Sequence, residues 1–291
     1  MTMTEKETYE KKVNRAVRLI KAAAGDNIVE VSYSGGKDSD VILELAKMAG
    51  VKYRAIYKNT TIDPPGTIAH AISKGAEIVR PEISFFKIIE KKGFPTRRAR
   101  FCCDKLKEYK ILDTAIQGIR RSESTARSKR YSSDEPIICR IYGSKKNHVN
   151  VILPLLDWTD EDVERFVTER EIQCHPLYYD SDGAFHPERR LGCMACPMSR
   201  KAMLRDFKEH PNLVKAWLRA GKKWWDTHPN ASSRKKFKDI YELFVNDLHY
   251  DSYEKFREAT DGGMFEGINC KSYIEQEYNI TLIDNIKNSG L

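Results

Sequence analysis

Along residues 1–26, apolar side chains recur at helical spacing among charged ones, with Val13, Ala16, Val17, Ile20 and Ala23 on one face. The pattern predicts an amphipathic N-terminal helix. Charged throughout and lacking an uninterrupted apolar stretch, this segment does not read as a signal peptide. From residue 27 the period changes repeatedly. NIVEVSY (27–33) is a β-branched strand, and DVILELAKMAG (40–50) a helix stopped by Gly50. KYRAIYKNT (52–60) predicts a second strand, and DPPGTIAHAISKG (63–75) a helix with proline in its first turn. EIVRPEI (77–83) predicts a third strand and SFFKIIEKKG (84–93) a short helix. Strand–helix alternation of this kind predicts an α/β fold with a doubly wound, mainly parallel sheet.

Further on, IICRIYGSKKNHVNVILPLL (137–156) reads as two strands around a GSKKN turn. DWTDEDVERFVTERE (157–171) is a helix with Thr159 as N-cap and acidic residues in the first turn. Beyond about 201 the pattern is helical, and its aromatics at helical spacing are assigned to core packing. The organisation expected is an N-terminal helix (1–26), an α/β domain (27–200) and a helical cap or docking region (201–291). In that last region Trp217, Trp224 and Trp225 with Lys222, Lys223, Arg234, Lys235 and Lys236 are a candidate strand-binding surface. Helix-core tryptophans and exposed lysines account for the same residues more simply.

Composition adds bounds. With 291 residues, 41% hydrophobic and 32% charged, the chain has the make-up of a soluble globular protein. No apolar run is long enough to cross a bilayer, so a cytoplasmic protein with no membrane partner is expected. A net charge of +8 suits anionic ligands, from nucleotides to nucleic acid. Seven cysteines, an odd number, argue for thiols or metal ligands over a disulfide framework.

Three motifs carry chemistry. In SYSGGKDS (32–39), between a strand and a helix, Gly35 and Gly36 let the backbone approach an anion. Loop amides and the helix start then face that anion, with charge from Lys37 and hydroxyls from Ser34 and Ser39. Ser39 or Asp38 is the expected helix cap. The loop is too short for a Walker A motif, and its lysine is followed by aspartate. In GIRRSESTARSKR (118–130), Arg120, Arg121, Arg127, Lys129 and Arg130 stand among Ser122, Ser124 and Thr125. Beside a phosphate loop this reads as a second oxyanion subsite, since guanidinium forks match phosphate or sulfate oxygens. The third motif pairs FCC (101–103) with CMAC (193–196). Four sulfurs suffice for a tetrahedral metal or an iron–sulfur cube. Cys139, in a strand pattern, and Cys174 read as buried packing residues.

SYSGGKDS resembles the modified phosphate loop of the adenine-nucleotide α-hydrolase superfamily, which includes ATP pyrophosphatases and sulfonucleotide reductases. NTTIDPP (59–65), FCCDKLK (101–107), GIRRSESTAR (118–127), PLLDWTDEDV (154–163) and HPLY (175–178) narrow the likeness to the phosphoadenosine phosphosulfate (PAPS) reductase family over roughly residues 28–200. The resemblance implies an adenine nucleotide (ATP, APS or PAPS) held by Ser34, Gly35, Gly36, Lys37, Asp38, Ser39, Gly118, Arg120, Arg121, Glu123, Ser124 and Arg127. Lys37, Asp38, Arg120 and Arg121 would act at the reacting phosphate, with Mg²⁺ accompanying ATP. It also implies that Cys102, Cys103, Cys193 and Cys196 hold a 4Fe-4S cluster, as in APS reductases; structural zinc is the alternative.

The resemblance breaks at the nucleophile. Sulfonucleotide reductases attack with a C-terminal cysteine in an "ECG-[IL]-H" motif, and the last cysteine here, Cys270, sits in NCKSY with no histidine after it. Three readings follow: an ATP-pyrophosphatase or adenylating enzyme in sulfur chemistry, a thiol-dependent APS/PAPS reductase using Cys270, and a non-catalytic nucleotide- or nucleic-acid-binding module. A sulfur-donor or reductant protein is the partner expected for the enzymes.

Overall fold

The structure, a computed structural model, describes residues 3–133, 135–143, 147–261 and 269–283, with side chains from residue 8 onward. It divides into two compact units, Met1–Pro81 with Cys103–Gly192, and Glu82–Cys102 with Cys193–Leu291.

The first unit carries a six-stranded sheet. Its strands are β1 (Val29–Tyr33), β2 (Tyr53–Lys58), β3 (Glu77–Val79), β4 (Thr114–Ile116), β5 (Ile137–Ile141) and β6 (His148–Ile152). They run in the order β3-β2-β1-β4-β6-β5. Every pairing is parallel except the β5–β6 hairpin. The doubly wound expectation therefore holds, with one antiparallel edge. The third strand is shorter than predicted and stops at Val79. The expected GSKKN turn falls largely outside the described residues.

Alternation along the strands separates two cores. Val29, Val31 and Tyr33 of β1, with Ile116 and Ile152, pack with Ala16 and Ile20 of α1 (Met3–Ala24), Ile42 and Leu45 of α2 (Lys37–Ala49) and Phe166 of α7 (Asp160–Glu169). Ala115, Val149 and Val151 point the other way, into a smaller cluster with Tyr131 and Leu156. Two local readings hold in detail. Gly50 closes α2 in the left-handed conformation, φ 64°. Thr159 caps α7 in a reciprocal capping box with Asp162.

The start of α2 corrects an expectation. The helix begins inside the SYSGGKDS segment, at Lys37, with Gly36 as an N-cap lacking any side-chain cap bond. Neither Asp38 nor Ser39 caps it; the Ser39 hydroxyl instead donates back to the Gly36 carbonyl at 2.6 Å. The helix predicted over 63–75 is present but shorter, α3 (Thr67–Ser73), with Gly66 as its N-cap and both prolines ahead of it. Two elements, α5 (Phe101–Leu106) and β4, went unread because each is very short.

The second unit is helical: α4 (Phe85–Lys92), α8 (Arg200–Glu209), α9 (Pro211–Thr227), α10 (Ile240–His249), α11 (Tyr253–Thr260) and α12 (Cys270–Glu277). Trp217 is fully buried, ringed by Phe85, Phe94 and Phe207. Trp225 is buried beneath the Arg234 guanidinium, 4.4 Å from its ring centre. Trp224 lies against Gly93 and stacks on His228. These tryptophans pack the helices, the simpler of the two accounts.

Candidate functional site

In this sheet β2 and β3 lie to one side of β1, and β4, β6 and β5 to the other. Strand order thus reverses between the parallel neighbours β1 and β4, the point where open α/β sheets form a crevice beyond their strand ends. The 34–39 loop leaves β1 there, and Gly118–Glu123 follows β4. The two motifs, about eighty residues apart in sequence, meet backbone to backbone. A Cβ on Gly118 would stand 2.8 Å from the Asp38 carbonyl oxygen. Gly35 is left-handed, φ 78°, and a Cβ there would meet the Thr67 methyl at 2.8 Å. Both positions need glycine because other backbone or side-chain atoms occupy the space.

Within the loop, the Ser34 hydroxyl donates to Ser39 Oγ at 3.3 Å. Lys37 is 3% exposed. Its Nζ donates to Asp38 Oδ2 at 3.3 Å and to the Arg189 carbonyl at 3.4 Å, and lies 5.4 Å from the Tyr178 ring centre. Burial pulls its pKa below the ordinary lysine value, against the opposing pull of Asp38. Bonds this long hold the ammonium loosely, so an anion in the loop could draw it away.

The arginines of the second motif behave differently from a pair of open forks. Arg120 is 2% exposed. Nε donates to Asp38 Oδ1 at 2.6 Å, Nη2 to Asp160 Oδ1 at 2.7 Å, and Nη1 to Ser122 Oγ at 3.1 Å. Arg121 gives Nε to the Tyr131 carbonyl at 2.6 Å and Nη2 to the Ser133 carbonyl at 2.5 Å, and pairs with Asp157. Both guanidinium groups serve as internal ties that shape the loop around them. Glu123 pairs with Arg127 and, at 2.8 Å, with Arg190 Nη2. Ser124 caps α6 (Thr125–Arg130) by accepting from the Arg127 amide. Two guanidinium groups on one carboxylate leave a net positive charge. Burial and the neighbouring Arg190 both push the Arg127 pKa down. Arg190, more than half exposed, was missed; its signal was the RR just before LGC.

Beside Ser34 the strand ends border a half-open cavity of about 190 Å³, lined by Glu30, Lys58, Asp63, Gln117 and Arg140 among others. It is smaller than a drug-sized site, so it admits one part of a nucleotide. Glu30, 2% exposed, was also missed, although a lone acid in a β-branched strand is the signal. It accepts from Ser32 Oγ at 2.9 Å and pairs with Lys58 at 3.4 Å. Lys58 in turn donates to the Tyr109 carbonyl at 2.7 Å, and burial lowers its pKa.

Below the loop, Asp40 has a fully buried carboxylate. It accepts from the Tyr33 hydroxyl at 2.5 Å and faces His70 Nε2 at 3.1 Å. This contact ties the first turn of α2 to α3.

Of the cysteines, Cys102 and Cys103 lie on α5 and Cys193 and Cys196 on the turn before α8; all four are partly exposed. Ala195 between the latter pair is left-handed, φ 50°, and its amide donates to Asp206 Oδ2 at 2.8 Å. Among the described residues, no group of three or more His, Cys, Asp or Glu side chains is drawn together as a metal cage. The donor set, four accessible thiols with two on a pinned turn, fits soft thiolate-ligated iron or zinc in its chemistry. Cys174 and Cys270 are buried, and burial pushes the Cys270 thiol up to about 12. Cys139 is exposed, a correction to its expected burial. It lies on the edge strand β5, where alternation turns it to solvent.

A family model, the phosphoadenosine phosphosulfate reductase domain, matches residues 28–199. The chain is similar to a 37.8 kDa protein of Escherichia phage 186, 28% identical over 223 residues, covering 67% of this chain and 62% of that one. It is also similar to the phosphoadenosine 5'-phosphosulfate reductase of Xanthomonas oryzae pv. oryzae, 35% identical over 82 residues, covering 27% of this chain and 30% of that one. It thus spans less than two thirds of either relative. Among solved structures, PAPS reductase from Candida auris with phosphate aligns at TM-score 0.42 and 16% identity, covering 64% of this chain and 96% of that one. The U34-tRNA thiolase of Methanococcus maripaludis with its 4Fe-4S cluster aligns at TM-score 0.38 and 14% identity, covering 77% and 82%.

Proposed function

Because the chain belongs to the phosphoadenosine phosphosulfate reductase family, we propose that it is a nucleotide enzyme of ATP-pyrophosphatase type, adenylating an acceptor in sulfur chemistry. The observation that carries this reading is the junction of the 34–39 loop with Gly118 at the crevice between β1 and β4, next to a polar cavity. The cavity takes the nucleoside end of ATP. The loop amides and Lys37 take the phosphates, with Mg²⁺ alongside Asp38. Arg127 and Arg190, sharing Glu123, supply further positive charge. An acceptor oxygen attacks the α-phosphorus, a new P–O bond forms, the bond to the β-phosphate oxygen breaks, and pyrophosphate leaves. Positioning and charge stabilisation supply the rate. Arg120 and Arg121 act as positioning residues, because their donors are engaged within the protein.

Cys102, Cys103, Cys193 and Cys196 would hold a 4Fe-4S cluster, with zinc as the alternative occupant. A cluster there would supply a sulfur- or electron-handling centre or a structural clamp. The reductase reading is disfavoured by Cys270: a nucleophilic thiol needs access and a lowered pKa, and this one is buried and raised.

The test is calorimetric titration with ATP, APS and PAPS, followed by pyrophosphate release from ATP over a panel of sulfur-pathway acceptors. ATP binding that is lost in Lys37→Gln, with acceptor-dependent pyrophosphate release, is expected. Binding of APS or PAPS with no ATP binding would overturn the reading.

A further inference from the structure

On the β5–β6 hairpin, Cys139 Sγ lies 3.3 Å from His148 Nδ1. Cys139 pairs across the ladder with Asn150, and His148 with Ile141. Cys139 and His148 are therefore diagonal neighbours on one face of an antiparallel pair. That face is open. Cys139, His148 and Asn150 are exposed, as are Ile137 and Ile141, at 41% and 52%. Arg140, the intervening residue, points to the other side and lines the cavity near the phosphate loop. Cys139 thus faces away from the nucleotide crevice.

The seven thiols sort by surroundings. Four belong to the proposed cofactor set, and Cys174 and Cys270 are buried with raised pKa values. Cys139 alone is exposed with a base in contact. A thiol with a base in hydrogen-bond reach is the recurring arrangement of an activated sulfur nucleophile. The two isoleucines on the same face add an apolar border to which a thiol-bearing partner could be held.

We propose that Cys139 and His148 form a thiol-exchange site that accepts sulfur from an S–S bond, either a disulfide or a persulfide. The Cys139 proton passes to His148 Nδ1. The thiolate attacks one sulfur of the S–S bond, a new bond to Cys139 forms, and the old S–S bond breaks. The departing thiolate takes the proton from the imidazolium. With a disulfide, Cys139 is oxidised to a mixed disulfide and one half of the reagent is reduced to thiol. With a persulfide, the outer sulfur moves to Cys139 and a thiol leaves. No further oxidant or reductant is required.

The experiment treats the full-length protein, without nucleotide, with oxidised glutathione or glutathione persulfide. Modification at each cysteine is followed by peptide mass spectrometry. Expected is a Cys139 adduct forming roughly tenfold faster than in His148→Gln, with Cys139→Ser removing it. A mixed disulfide alone makes the site a redox contact; a persulfide at Cys139 makes it a sulfur acceptor; either supports the proposal. A Cys139 rate unchanged in His148→Gln, or no faster than that of glutathione itself, overturns it. Because nucleotide is absent, failure here leaves the adenylation reading intact, and failure of that reading leaves this one intact. Circular dichroism of both variants shows whether the hairpin's unit remains folded.

Discussion

Replacing Arg120 with methionine separates a structural tie from an anion ligand. The side chain is 2% exposed, and its Nε, Nη1 and Nη2 reach Asp38, Ser122 and Asp160. Methionine fills much of the volume but leaves Asp38, 18% exposed, with Lys37 at 3.3 Å as its remaining cation. Asp160 is 45% exposed and regains water on losing its partner, so its loss counts for little. Breaking a buried pair from one side costs about 3–5 kcal/mol. Partial solvent access at Asp38 places this case near the lower end, about 3 kcal/mol. For a unit of this size, that lowers Tm by about 6–12 °C. Thermal and urea unfolding of nucleotide-free protein, followed by circular dichroism, read the change directly. Asp38→Asn added to Arg120→Met recovers part of it, because the stranded charge is gone. A nucleotide-free Tm within about 2 °C of wild type, together with lost nucleotide affinity, would refute the assignment and make Arg120 an anion ligand.

Other outcomes follow from the same geometry. Gly118→Ala sets a methyl 2.8 Å from the Asp38 carbonyl oxygen; a cost of about 1–3 kcal/mol and weakened ATP binding are expected, measured by unfolding and calorimetry. Burial raises the Asp247 pKa from 3.8 to about 6 and lowers that of His249 from 6.5 to about 4. Folded Asp247 binds its proton more tightly than the unfolded chain does, so its share of stability falls as pH rises from about 4 to 6. Folded His249 binds its proton less tightly, so its share falls as pH drops from about 6.5 to 4. Asp247→Asn should therefore add about 1–3 kcal/mol at pH 7.5 and nothing below pH 4, and should steepen the acid loss; a denaturation series over pH checks both. Cys193→Ser or Cys196→Ser should strip iron and acid-labile sulfide from protein purified without oxygen while ATP binding persists. Stoichiometric zinc without sulfide in the wild type would show a structural clamp instead.

Local chemistry was enough to mark the glycine loop at 34–39 between a strand and a helix, the Gly50 stop, the Thr159 cap and the α/β alternation, because each depends on residues within a turn or two of one another. The sheet class followed from periodicity for the same reason. Contacts between distant segments were not readable in that way. GIRRSESTAR looked like open cations, since arginine in a polar string gives no sign of whether its partners are ligands or distant carboxylates. Asp160, forty residues on, and Asp38, eighty-two residues back, make Arg120 a tie. The sequence by itself determined which backbone could bend around an anion and which residue types were available to hold one. Only the tertiary structure decided which charges neutralise each other, that Glu30 and Lys58 pair at one half-open cavity, and that Cys139 faces solvent beside His148. Burial and long-range pairing depend on chain reversal and strand register, and no short stretch of residues encodes either one.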